Sequence, residues 1–217
     1  MCAVSRVVSG RSYAGKSAEE RRSERRQALL SAARELWREH GWSGVTMRAV
    51  CSRARLTDRY FYQNFADRDA LLVAVAEQER DATLGLILGA IAPHADDSPF
   101  EQLRAALAAV VGHIARDPSS AQILFGGHQS NAVLGAFRRD TIQVMVNFLV
   151  ELARPYLLPT AREDEFRVNV LLGIGGFVET VAAWRAGIVE VEVDELVEML
   201  HGAGERLGAR FTSIDAR

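Results

Sequence analysis

The segment TMRAVCSRARLTDRYFYQNF, residues 46–65, contains the strongest local structural signals in this chain. Thr46 and Thr57 are favourable helix N-caps, because a threonine hydroxyl accepts a hydrogen bond from the N–H groups of a first helical turn. Phe61 and Phe65 lie four residues apart and therefore face the same side of a helix. The segment predicts two short helices joined by a tight turn, with the phenylalanines holding the second helix against a core.

The remaining side chains of the second predicted helix point away from those phenylalanines. They are Asp58, Arg59, Tyr60, Tyr62 and Gln63. Arginine and glutamine bind base edges, and tyrosine hydroxyls bind phosphate oxygens. The spacing is typical of a helix-turn-helix whose second helix enters a DNA major groove.

The composition favours a single class of fold. Of the 217 residues, 48% are hydrophobic and 25% are charged, which is ordinary for a soluble globular protein. Proline occurs only 5 times, and the strong helix formers Ala, Leu, Arg and Glu are abundant. Together with helix-capping signals along the chain, this predicts an all-α protein of about nine helices.

The residues that usually carry catalysis or bind metals are few and scattered. The two cysteines, Cys2 and Cys51, have no metal-ligand spacing, and the five histidines are dispersed. The glycines of residues 173–176 follow no strand, so they do not form a dinucleotide-binding loop. The sequence therefore predicts a protein that is not an enzyme and that has no metal or cofactor.

The charge is distributed unevenly along the chain, although the net charge is only −2. Residues 1–66 contain 13 basic and 6 acidic residues, whereas residues 67–217 contain 13 basic and 22 acidic ones. A basic N-terminal part on an acidic C-terminal part indicates a polyanionic partner for the former.

The chain divides into three parts by pattern. Residues 1–17 are predicted to be a flexible arm, residues 18–66 a helix-turn-helix domain, and residues 67–217 a larger helical domain. We find no secretory signal pattern, and the longest apolar run, residues 170–178, is too short to span a bilayer. We therefore expect a cytoplasmic protein without a membrane partner.

Residues 25–75 resemble the DNA-binding domain of the TetR family of transcriptional regulators. The resemblance rests on Leu29-Leu30, Ala33, Leu36-Trp37, Gly41, Val45-Thr46, Leu56-Thr57, Phe61-Tyr62, Phe65, Asp67-Arg68-Asp69 and Leu71-Leu72. Three positions depart from the family pattern: Arg55 replaces the usual turn glycine, Asn64 a histidine and Arg68 a lysine. Arg55 therefore either bears a strained positive φ or indicates a different turn.

The resemblance implies a set of DNA contacts. Thr46, Thr57 and Tyr62 would bind phosphates, and Arg59, Tyr60 and Gln63 would reach bases. Asp58 would either accept a hydrogen bond from cytosine or stabilise the helix N-terminus. The remaining DNA-binding candidates are Arg48, Arg55, Asn64 and Arg68.

The same resemblance implies that the C-terminal domain forms a homodimer and binds a small-molecule effector. The candidate dimer residues are Leu171, Ile174, Phe177, Val178, Val181 and Leu200, with intrachain packing as the alternative. The candidate pocket residues are His113, His128, Asn147, Glu179 and Trp184, each of which could instead be a satisfied core residue. We therefore expect a repressor that an effector releases from a near-palindromic double-stranded DNA operator; the alternative is a helical adaptor without sequence-specific DNA binding.

Overall fold

The computed structural model describes residues 17–126 and 130–212, and within these ranges the chain is helical without a β-strand, which confirms the all-α prediction. Nine α-helices are present in the described ranges: α1 Ala18–Gly44, α2 Met47–Ala54, α3 Asp58–Tyr62, α4 Arg68–Ile91, α5 Pro99–Arg116, α6 Pro118–Phe125, α7 Ala132–Ala153, α8 Glu163–Arg185 and α9 Val193–Gly208. The predicted arm, apart from Ser17, and the pocket candidate His128 lie outside the described residues.

Helix α1 begins at a complete capping box. The Ser17 hydroxyl accepts a hydrogen bond from the Glu20 N–H, and the Glu20 carboxylate accepts one from the Ser17 N–H. The regular helix is interrupted at Gly41, where φ is 70°. A side chain at this φ would be strained, so the glycine allows the chain to turn towards α2.

Helices α1 to α3 share an apolar core with the first half of α4. Leu29, Trp37, Val50, Phe61 and Leu72 are each at most 1% exposed and belong to one cluster. The same cluster includes buried residues of α6 and α7, so the helix-turn-helix packs directly on the larger domain.

Helix α4 connects the two parts of the molecule. Asp67 caps it by accepting a hydrogen bond from the Ala70 N–H at 2.8 Å. Leu71 and Val75 belong to the core of the helix-turn-helix, whereas Ile87 packs in a separate cluster with residues of α5, α6 and α8. A shift of α4 would therefore change the packing of both clusters.

Helix α8 is apolar on two sides. Of the candidate dimer residues, Val178 and Val181 are buried in this chain's own core, and Ile174, Phe177 and Leu200 are partly buried there. For Val178 and Val181 this corrects the dimer assignment, because a side chain enclosed by its own chain cannot form a seam. Leu171, at 46% exposed, is the candidate that faces outward.

The outward face of α8 contains Val168, Leu171, Leu172, Gly175 and Ala182, at helical spacing. By length and composition alone α8 could cross a bilayer: its 23 residues include a stretch of mean hydropathy 1.4, of which 17% is buried. The helix continues through Glu179, so it is longer than the apolar run visible in the sequence. Its uncovered apolar surface needs a partner.

Candidate nucleic-acid interface

The turn between α2 and α3 is built around Arg55, which is the C-cap of α2. Arg55 has φ 54° and ψ 40°, the left-handed conformation, and is the non-glycine residue with positive φ in the described ranges. The Leu56 N–H donates to the Cys51 carbonyl at 2.9 Å and closes the helix end. Arg55 therefore bears the strain that a glycine at this position would avoid, and the alternative of a turn without positive φ is wrong.

Helix α3 presents a polar face to solvent. Thr57, Asp58, Arg59, Tyr62 and Gln63 are exposed, and Tyr62 is 60% exposed. Thr57 occupies the N-cap position with extended backbone, but its side chain makes no capping hydrogen bond. Its hydroxyl thus remains available for another acceptor or donor.

Helix α2 directs its N-terminus outward beside α3. The Thr46 hydroxyl accepts a hydrogen bond from the Ala49 N–H at 3.2 Å, so the predicted cap is formed. Thr46 and Arg48 are both exposed. The first turn of α2 therefore offers N–H groups and a guanidinium on one surface, a suitable arrangement for phosphate.

Three arginines of α1 hold α3 in place, a role that the sequence did not predict. Arg22 donates to the Gln63 carbonyl at 3.1 Å, and Arg26 donates to the Asn64 carbonyl at 3.0 Å. The Arg25 guanidinium lies 4.7 Å from the centre of the Tyr60 ring. The signal in the sequence was a basic stripe at helical spacing, and its partners are the C-terminal carbonyls and an aromatic ring of α3.

Tyr60, Asn64 and Arg68 make contacts within the chain that their predicted DNA roles did not anticipate. Tyr60 is half-buried beneath Arg25, and the Asn64 side-chain amide donates to the Tyr60 carbonyl at 2.7 Å. The Arg68 guanidinium donates to the Val45 and Trp42 carbonyls, both at 2.6 Å. In this structure Asn64 and Arg68 therefore fix the frame of the helix-turn-helix.

Cys51 and Asp58 are neighbours at the turn. Burial raises the pKa of the Cys51 thiol, and the Asp58 carboxylate raises it further. The thiol is therefore a buried apolar group rather than a reactive nucleophile.

A partly buried ionic network connects the helix-turn-helix to the larger domain. Arg34 of α1 binds the Glu79 carboxylate at 2.8 Å and the Asp117 carboxylate at 2.7 Å. Ser120 donates to Glu79, and His113 Nε2 lies 2.8 Å from the Ser120 hydroxyl. The hydrogen bond from Arg34 to Glu79 raises the pKa of the Arg34 guanidinium, which keeps it charged.

Asp117 is the second carboxylate of that network and also the N-cap of α6. Burial raises the pKa of Asp117, but hydrogen bonds from Ser119 and Arg34 outweigh this effect and lower the pKa from 3.8 to about 2. The network therefore joins α1, α4, α5 and α6 through hydrogen bonds and ion pairs.

A cavity of about 370 Å³ lies in the larger domain between α4, α5, α7, α8 and α9. None of the described pocket candidates lines it: Asn147 and Glu179 are exposed, His113 belongs to the ionic network, and the Trp184 indole donates to the Val191 carbonyl. The cavity wall contains no charged side chain among the described residues. The side chains of Asn147, His113 and Trp184 have hydrogen-bond partners outside the cavity, and Glu179 faces solvent.

Comparison with known proteins places the N-terminal part of the chain. A family model described as bacterial regulatory proteins of the tetR family matches residues 29–75. The chain is 30% identical over 59 residues to the HTH-type transcriptional regulator UidR of Escherichia coli strain K12, a match that covers 27% of this chain and 30% of that protein. It is 29% identical over 104 residues to the HTH-type transcriptional activator FasR of Mycolicibacterium smegmatis, covering 48% of this chain and 47% of that protein.

Solved structures share the fold over most of the chain. A TetR-like transcriptional regulator from Rhodococcus sp. RHA1 superposes with a TM-score of 0.66 at 22% identity, covering 85% of this chain and 96% of its own. The fatty acid degradation regulator FadR of Bacillus halodurans superposes with a TM-score of 0.67 at 18% identity, covering 89% and 97%. Residues 29–75 therefore match the tetR family of bacterial regulatory proteins, and the solved structures show that the chain as a whole shares their all-helical fold.

Proposed function

We propose that this protein is a sequence-specific DNA-binding transcriptional regulator, and specifically a repressor that a small-molecule effector releases from its operator. The observation that carries the proposal is the exposure of the arginines around α3 and their lack of ion-pair partners. Arg48, Arg55 and Arg59 are exposed and form no ion pair within the described ranges of the chain. Exposed guanidinium groups without an ion-pair partner are suited to phosphates and guanine edges.

Within this surface, Arg59 and Gln63 are the proposed base contacts, and Thr46, Thr57 and Tyr62 the proposed phosphate contacts. Arg59 is exposed on α3, and guanine is its favoured base because it offers two acceptors in the major groove. Asp58 keeps both of its predicted roles. A regulator that binds chromosomal DNA acts in the cytoplasm and does not require enzymatic activity.

Dimerisation is proposed to occur through the outward face of α8. Val168, Leu171 and Leu172 are 55%, 46% and 60% exposed, which is unusual for three apolar residues on one helix of a soluble protein. Gly175 on this face allows the backbones of two copies to approach closely. A two-fold dimer would place two α3 helices about 34–36 Å apart on a near-palindromic site.

The effector is proposed to occupy the cavity of the larger domain. Thr83 and Ile87 of α4 line the cavity, and Leu71 of the same helix lies in the core of the helix-turn-helix. A ligand that moves α4 would therefore change the position of the DNA-binding surface. Allosteric couplings of this type amount to about 1–3 kcal/mol.

The proposal is tested by gel retardation on the DNA upstream of the protein's own gene, repeated at rising salt concentration. We expect a specific complex whose affinity falls steeply with salt. Arg59→Ala should lose about 1–3 kcal/mol at one base pair of an operator panel, whereas Tyr62→Phe should weaken all variants alike.

Arg139→Ala is the matched control, because Arg139 is an exposed arginine of α7 in the larger domain. It should leave every affinity unchanged. Equal weakening of all operators by Arg59→Ala would overturn the base-contact assignment. Failure to retard any DNA would favour the alternative of a helical adaptor.

A further inference from the structure

Helix α3 is too short to fix its own orientation. It contains five residues, Asp58–Tyr62, and an isolated helix of this length is unstable in water. Phe61 is its one fully buried residue, and the Thr57 side chain makes no capping hydrogen bond at its N-terminus. The direction of α3, and with it the direction of the side chains that it presents to solvent, therefore depends on contacts with other elements.

The polar contacts that α1 makes with this segment lie at the C-terminal end of α3. Arg22 and Arg26 are four residues apart on α1, and they donate to the backbone carbonyls of Gln63 and Asn64. The carbonyls at the end of a helix have no acceptor role within the helix and carry partial negative charge. Two guanidinium groups at this position therefore stabilise the end of α3 and attach it to α1.

Two arginines of α1 also cover aromatic rings of the same segment. The guanidinium carbon of Arg25 lies 4.7 Å from the centre of the Tyr60 ring, and that of Arg26 lies 4.4 Å from the centre of the Phe65 ring. The Nε atom of Arg25 is buried, so this side chain packs against the protein. We refer to Arg22, Arg25 and Arg26 together as the α1 arginines.

A basic stripe near the start of a helix beside a DNA-binding surface would ordinarily be assigned to phosphates. In this structure, each of the α1 arginines is already engaged by a carbonyl or a ring of the α3 segment. Moving one of them to a phosphate would break the contact that holds α3. By contrast, Arg48 and Arg59 are exposed and form no ion pair within the described ranges, so they can bind DNA at no such cost.

We propose that the α1 arginines are positioning residues for base recognition: they fix the orientation of α3 in the major groove and thereby contribute to sequence discrimination, without binding phosphates themselves. This role rests on the proposed DNA-binding function. Arg22 holds the carbonyl of Gln63, a proposed base contact, and Arg25 covers the ring of Tyr60. Hydrogen bonds to base edges require a defined side-chain geometry, so a loosely held α3 discriminates less between sequences.

The test compares two DNA duplexes in gel retardation over a range of salt concentrations: the region upstream of the protein's own gene, and a duplex of equal length and composition with a scrambled sequence. The double variant R22M/R26M removes both charge-assisted hydrogen bonds and should reduce the ratio of the two affinities about tenfold. On the scrambled duplex, the slope of log affinity against log salt should change by less than about 0.9, the value of one phosphate contact. A slope change of about 1.8, or an unchanged affinity ratio, would overturn the proposal.

Two single variants provide the comparison. Arg48→Met, at a proposed phosphate contact, should lower the salt slope by about 0.9 on both duplexes and leave the affinity ratio unchanged. Arg139→Met removes an equal charge from the exposed surface of α7 and should change neither quantity. The opposite responses of R22M/R26M and Arg48→Met separate the positioning of α3 from the binding of phosphate.

Amide hydrogen exchange in the free protein tests the attachment of α3 without DNA. In R22M/R26M the amides of residues 61–65 should exchange about tenfold faster than in wild type. Those of Val50 and Cys51 in α2 should be unchanged, which also shows that the variant is folded. Unchanged exchange at residues 61–65 would overturn the proposal. Failure of the wild-type protein to distinguish the two duplexes would refute the proposed function instead, and the exchange rates would still decide whether the α1 arginines hold α3.

Discussion

Replacing Arg34 by methionine should destabilise the protein because it leaves a charge buried without its partner. The Glu79 side chain is 6% exposed, and Arg34 binds it at 2.8 Å, whereas His113 lies 3.9 Å away. Removing one member of a buried ion pair costs about 3–5 kcal/mol. The Arg34 side chain is itself 35% exposed, so water screens part of the interaction and we expect a loss of about 2–3 kcal/mol.

Glu79→Met should cost less, about 1–2 kcal/mol, because Arg34 keeps Asp117 as a partner and keeps access to water. The double variant should be more stable than the sum of the two single losses predicts, since it leaves neither charge buried alone. The difference, about 2 kcal/mol, is the coupling energy between the two side chains.

The measurement is urea unfolding followed by circular dichroism, at a single protein concentration because dimerisation would make stability concentration-dependent. Arg154→Met provides the control: Arg154 binds Glu151 at 2.7 Å, but both side chains are at least half exposed, so little change is expected. Strict additivity of the Arg34 and Glu79 substitutions would refute the claim that this pair connects α1 to α4.

Three further changes follow from particular contacts. Asp117→Asn should reduce the loss of stability between about pH 4 and pH 2 in acid titrations of unfolding. The lowered pKa of Asp117 in the folded protein contributes stability above the pKa of the unfolded state, and this contribution disappears as the pH falls to about 2. An unchanged profile would contradict this. Arg55→Gly should raise the free energy of unfolding by about 1 kcal/mol, by removing the left-handed strain, and lower DNA affinity with a shallower salt dependence. Leu171→Glu should shift the protein towards monomers in light scattering, whereas Leu88→Glu, an equally exposed change on α4, should not.

The helix-turn-helix was accessible from the sequence because its determinants are local. The N-cap positions of Thr46 and Thr57, the spacing of Phe61 and Phe65, and the break at Gly41 involve residues within one or two helical turns. The same holds for the all-helical class and for the family resemblance. The structure also decided between the two interpretations of Arg55, since φ depends on how the turn closes.

The hydrogen-bond and ion-pair partners of the arginines could not be predicted from local sequence patterns. Arg26 and Asn64 are 38 residues apart, and Arg34 and Asp117 are 83 residues apart, so no local pattern pairs them. Arg68 was a DNA-binding candidate, but its guanidinium binds the Val45 and Trp42 carbonyls. The identity of a basic residue in the sequence does not show which hydrogen-bond acceptor lies next to it in the folded protein.

The sequence by itself determined the helices, the cap at Thr46, the basic N-terminal part, and the exposure of Asp58, Arg59, Tyr62 and Gln63. Only the tertiary structure decided which face of α8 is covered and which residues line the cavity, and it placed Asn147 and Glu179 outside that lining. The physical reason is the separation along the chain over which each effect acts. Helix periodicity and capping depend on residues a few positions apart, whereas burial and hydrogen-bond pairing depend on helices that are distant in sequence.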